Sequence, residues 1–144
     1  MFMGNVRRLA LAVVLLLGGC SGPGLVSRTP PPISVSPSSL PNGVIDPHPL
    51  IDQATHLGSI VLRVDSVAAR LTTMSDFMKE SGTISPSASP NQPIWVVAIR
   101  GDIRIDSLVD APHAQCALFA YDAATGDVRA TRSGPAVICD PYFK

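Results

Sequence analysis

The sequence predicts an α+β fold, a small antiparallel sheet with one or two short helices, preceded by a signal peptide and a disordered tether. Three observations lead there. Much of the apolar excess sits in the first nineteen residues, the stretch up to Pro49 is dominated by proline and serine, and only from about Leu50 do short β-rich runs alternate with turn signals. The chain therefore divides into residues 1–19 as signal peptide, 20–49 as a cysteine and tether, and 50–144 as the domain. Its 144 residues, 46% of them apolar, suffice for one small core and not for two. Eleven Lys and Arg balance eleven Asp and Glu without local clustering, which argues against a basic face for nucleic acid.

Residues 1–20 read MFMGNVRRLALAVVLLLGGC: Arg7 and Arg8, then an uncharged run from Leu9 to Leu17, then Gly18, Gly19 and Cys20. That is a positive n-region, an apolar h-region and a small-residue cleavage zone. As a helix the run would be about 14 Å long, roughly half of a hydrocarbon core, so it does not span one comfortably. Leu17-Gly18-Gly19-Cys20 resembles the lipobox of bacterial lipoproteins. The resemblance implies a diacylglyceryl group on the Cys20 thiol, cleavage before Cys20, and acylation of the new amino group, giving a membrane anchor of two or three acyl chains such as palmitate. Each buried methylene contributes about 0.8 kcal/mol, so such an anchor holds where one chain does not. It also implies a place in the cell envelope on the extracytoplasmic side. With Ser21 rather than aspartate after the cysteine, that place is the outer membrane if the host is Gram-negative.

From Ser21 to Pro49, eight prolines, six serines and three glycines make up 17 of 29 residues. Proline fixes φ and removes donors, so this stretch is expected to carry no packed element and to act as a tether. Leu50–Leu57 is expected as a short helix after Pro49. Ile60–Thr73 reads two ways: Ile60, Val61, Val64, Val67, Ala68 and Leu71 form a helical stripe, whereas the β-branched content favours strand, and strand is preferred from Val64 to Thr73. A helix over Ser75–Ser81 follows from the Thr73/Asp76 capping pattern and the stop at Gly82.

After the loop Ser85–Pro93, the apolar run Ile94–Ile99 predicts a central strand buried on both faces, with Trp95, Val97 and Ile99 on one and Ile94, Val96 and Ala98 on the other. Cys116–Asp122 is the next strand. It turns at Ala123-Ala124-Thr125-Gly126 and returns antiparallel over Asp127–Thr131. From Pro93 to Arg132 this strand pair, with Asp122-Ala123-Ala124-Thr125-Gly126-Asp127-Val128, is similar to the PepSY family of small exported bacterial domains. That resemblance implies a non-catalytic modulator of an extracytoplasmic peptidase, or an assembly partner.

With Cys20 assigned to lipid, Cys116 and Cys139 are left to pair in an oxidising compartment. No G-x-S-x-G or G-x-G-x-x-G pattern occurs, and Asp46-Pro47-His48-Pro49 lies at the end of the proline-rich stretch, so neither catalysis nor a cofactor is expected. The competing reading is a metal-handling or enzyme-accessory lipoprotein using His113 and Cys116, spaced H-x-x-C, with Cys139, His48 or His56; zinc needs a further ligand pair of matching spacing, which the sequence lacks. Met74 and Met78 read as core filling, and Asp102, Asp106 and Asp110 as a solvated face. The expected partners are the membrane, through the lipid on Cys20, and an envelope protein or peptide.

Overall fold

A computed structural model describes residues 29–84, 89–104 and 112–144. The elements are β1 (Ile33–Ser36), α1 (His48–Thr55), β2 (Val61–Thr73), α2 (Met74–Ser81), β3 (Pro93–Arg104), β4 (His113–Asp122), β5 (Val128–Gly134) and a 3-10 helix (Ala136–Tyr142). The five strands form one sheet in the order β1-β2-β3-β4-β5. Strands β2 to β5 are an antiparallel meander, while β1 joins β2 in parallel. The α+β class is therefore as expected, with one parallel edge strand added to the antiparallel sheet.

That strand comes from the stretch expected to be a structureless tether. Ile33–Ser36 pairs with Val67–Arg70, and the Pro32 carbonyl accepts the Val67 N–H at 3.0 Å. Val35, Val44 and Ile45 then pack on the core. The ordered domain thus begins well before Leu50. Proline is tolerated because an edge strand asks for backbone bonds on one side only. Helix α1 likewise starts two residues early, with Pro49 in the first turn, where a missing N–H leaves no bond unmade.

The sheet separates two apolar layers, which is why Ile94–Ile99 is apolar without interruption. On one face Val67, Ala69, Trp95, Val97, Ile99, Phe119 and Tyr121 pack with Leu50, Ile51 and Ala54 of α1. On the other Ala68, Ile94, Val96, Ala98, Leu118 and Ala120 meet Met74 and Phe77 of α2 and Cys139 and Tyr142 of the 3-10 helix. The two sides assigned to β3 by alternation are those observed. Met74 is fully buried and Met78 packs beside it, so both fill the core. Trp95 is fully buried and its indole Nε1 donates to the Ile45 carbonyl at 2.9 Å.

Strand β2 resolves the helix-or-strand ambiguity and explains it. Opposite the regular residues Ile99, Gly101 and Ile103 stand Val67, Val64 and Val61, because β2 carries an irregularity between Val61 and Arg63 and another between Val64 and Ser66. Each inserts one residue, so inward side chains recur every three positions and imitate a helical stripe. Gly101 belongs to this contact: a Cβ there would lie 1.9 Å from the Arg63 carbonyl oxygen. It is a close-approach glycine inside β3 rather than the end of the strand.

Helix α2 starts at Met74 and is capped as its sequence indicates. The Thr73 hydroxyl accepts the Asp76 N–H at 3.2 Å, and Gly82 closes the helix at φ 67°.

Candidate functional site

The lipobox and Cys20 lie outside the described residues, as do Asp106 and Asp110. Cys116 and Cys139 form the expected disulfide, with 5.9 Å between Cα atoms and both residues fully buried. Cys116 pairs with Gly134 across β4 and β5. At Pro135 the chain turns into the 3-10 helix, which lays Cys139 back over the sheet. Arg100 and Arg70 flank this tail: Arg100 bonds Asp140 at 2.6 Å and lies 4.3 Å from the Phe143 ring, and Arg70 donates to the Pro141 carbonyl at 3.0 Å.

The residues considered for metal chemistry are dispersed. The Cys116 thiol is bonded to Cys139 and so presents no thiolate. His113 holds the Asp102 carboxylate at 2.6 Å. His48 pairs with Asp46 at 2.6 Å at the start of α1, with both side chains exposed, and His56 contacts the Asp52 carbonyl at its end. Among the described residues no three His, Cys, Asp or Glu side chains are arranged to hold a metal ion.

The Asp122-Ala123-Ala124-Thr125-Gly126 turn owes its shape to a carboxylate. Oδ1 of Asp122 accepts the Ala124 N–H at 2.8 Å and the Thr125 N–H at 3.2 Å; Oδ2 accepts Arg129 at 2.7 Å and the Gln92 amide. The Arg129 guanidinium first, and the turn N–H groups with it, lower the Asp122 pKa to about 2. Gly126 supplies φ 79° and packs against Ile45.

The feature with the form of a binding site is a groove that no single residue announced. Helix α1 lies over β2 and β3; on the same face the β4 residues Ala117, Phe119 and Tyr121 are buried, while β5 beside them is exposed or half-exposed along its length. The resulting groove, of about 320 Å³, has Ala117, Phe119 and Tyr121 as its floor and Leu57, Ile60 and Val128 among its walls. The Phe119 and Tyr121 rings stack at 6.5 Å, and burial pushes the Tyr121 hydroxyl pKa up to about 12. Thr131 and Ser133 of β5 and Gln53 of α1 add neutral hydrogen-bonding groups, and two arginines, Arg104 and Arg132, line the groove as well. Such a lining buries apolar side chains and orients them with a few polar contacts. Beside it runs β5, the last strand of the sheet, with no further strand among the described residues along its outer edge.

The sequence carried half of this signal. Ala117, Phe119 and Tyr121 alternate onto one face of β4, but how far α1 covers them is settled by packing. No family model, curated protein or solved structure matches the chain.

Proposed function

We propose that this chain is a lipid-anchored, non-catalytic binding module of the bacterial cell envelope that holds an extended segment of a protein or peptide along β5. The observation that carries the reading is the apolar groove lying beside the open edge of β5. An edge strand offers a row of backbone donors and acceptors to an added strand, and a neighbouring groove receives its alternate side chains. The similarity of Pro93–Arg132 to PepSY hairpins supports the same class and points to an extracytoplasmic peptidase or an assembly partner. The Leu17-Gly18-Gly19-Cys20 box supports the anchor, and Ser21 after it supports the outer membrane in a Gram-negative host.

Two measurements test the two halves. Radiolabelled palmitate should enter the wild-type protein and not Cys20→Ala, and label retained by Cys20→Ala sinks the anchor. A photo-crosslinking residue at Thr131, in the intact protein in its own membrane, should capture a partner that slows amide exchange along β5. Val128→Asp, at a half-exposed groove wall, should abolish that capture, and undiminished capture by this variant overturns the binding site.

A further inference from the structure

The two edges of the sheet are not equivalent. Strand β1 is four residues long, with Pro30, Pro31 and Pro32 before it and Pro37 after it. Proline brings no N–H, so a strand laid against that edge finds a short and interrupted ladder. Strand β5 holds no proline. It carries an irregularity at Arg129, after which Ala130–Gly134 pairs with Cys116–Ala120 without a break. Its outer edge is therefore a regular run that ends at Pro135 and has Arg132 at its centre. Alternation places the side chains of this run on two faces. Thr131 and Ser133 stand opposite Phe119 and Ala117 on the groove side, and Arg132 stands opposite Leu118 on the side of α2. There its guanidinium lies beside the glycine that ends α2: a Cβ at Gly82 would be 2.9 Å from Nη1. Arg132 is half-buried and makes no ion pair among the described residues. The other charge on β5, Arg129, is held by Asp122 at 2.7 Å. Strand β5 has no acid of its own, nor has the groove lining.

An added strand faces β5 residue by residue. Opposite charges at directly opposed positions stabilise such a pair, and like charges weaken it. The charge of β5 therefore decides among occupants. A second copy would bring an identical strand, setting the two arginines of one chain against those of the other with no acid in either. We propose that the segment held along Ala130–Gly134 alternates apolar side chains with acidic ones: the apolar ones enter the groove over Ala117 and Phe119, and a carboxylate on the other face pairs with Arg132. The proposal rests on the reading of β5 and its groove as a peptide site and adds the chemistry of the partner. The period of two follows from the strand form, since successive side chains of the incoming segment point to opposite faces. The groove and Arg132 lie on opposite sides of one strand, so a single extended segment meets both.

The test titrates three fluorescent seven-residue peptides, acetylated and amidated, into the full-length protein purified from its membrane. Valine alternates with threonine in each, and the central residue is glutamate, glutamine or lysine. By fluorescence anisotropy the glutamate peptide should bind about threefold tighter than the glutamine peptide and about tenfold tighter than the lysine peptide. The preference should vanish in Arg132→Gln and turn to lysine in Arg132→Glu, a reversal that needs a folded edge and so separates lost charge from lost fold. Bound peptide should slow amide exchange over Ala130–Gly134 and leave Ile33–Ser36 as it was. Wild-type protein that binds the three peptides equally overturns the acidic partner and leaves the peptide site standing. Protection at Ile33–Ser36 instead overturns the choice of edge, and a crosslink from Thr131 to a second copy overturns the choice of occupant. Binding of none of the three, or binding that Val128→Asp leaves intact, overturns the site itself.

Discussion

Asp122 organises the β4–β5 turn with one carboxylate shared among four donors. Its folded pKa of about 2 lies below the ordinary 3.8, so the ionised form is favoured by folding. The stabilisation it confers is complete above about pH 4 and disappears as pH falls toward 2, with an upper bound of about 2 kcal/mol. Asp122→Asn should cost about 1–3 kcal/mol near neutrality, because an amide cannot accept from both N–H groups and Arg129 with the same strength. Urea unfolding of the two proteins between about pH 7 and pH 2 checks this: the curves should converge in acid, and parallel curves would exclude Asp122 as the source. The motif was legible as a turn from Gly126, but the carboxylate's role was not. Arg129 and Gln92, seven and thirty residues away, come to it only in the folded chain.

Among the elements, the C-terminal 3-10 helix depends most on a single link. It buries Cys139 and Tyr142, packs Ile138 and Phe143 beside them, and is tied further by the contacts of Arg100 and Arg70, which near the surface contribute about 1 kcal/mol or less each. The disulfide closes a loop across a sequence separation of 23, worth about 3 kcal/mol in unfolded-chain entropy. Reduction should lower the thermal midpoint and make Ala136–Lys144 cleavable before the sheet unfolds. Calorimetry with limited proteolysis measures both, and a tail equally resistant with and without reductant contradicts the assignment. The cysteine pair was readable from its flanking strands. The 3-10 helix was not, because a short apolar segment between Pro135 and Pro141 has no helical period to declare. In β2 the β-branched content pointed to the strand that forms, while two inserted residues gave its inward side chains an apparent period of three.

At the scale of the whole molecule, the sheet is completed by residues that composition assigned to a linker. A chain beginning at Leu50 would lack β1, the first two residues of α1, the packing of Val35, Val44 and Ile45, and the carbonyl that Trp95 donates to. Exposing the side of β2 and leaving a buried indole N–H without its acceptor costs several kcal/mol together, about 1–3 of it from the indole alone. The chain from Leu50 should therefore unfold at distinctly lower urea than the chain from Ser21; equal midpoints would return Ser21–Pro49 to the role of a tether. The groove has the same origin. Its floor is written into the alternation of β4, while its opening exists because α1 crosses β2 and β3 and stops short of β5.

By itself the sequence determined the α+β class, the two faces of β3, the capped helix α2, the turn after β4 and the pairing of Cys116 with Cys139. Each depends on signals within a few residues: side-chain alternation, a cap, a glycine, or two cysteines beside neighbouring strands. Long-range packing settled that Ile33–Ser36 is a strand, where β2 takes its two inserted residues, and that a groove opens beside β5 over the buried floor of β4. Those outcomes rest on hydrogen bonds and packing between segments far apart in the chain. A proline-rich stretch acquires a strand when a sheet edge offers it partners, and a strand absorbs extra residues as bulges when its neighbour holds the register.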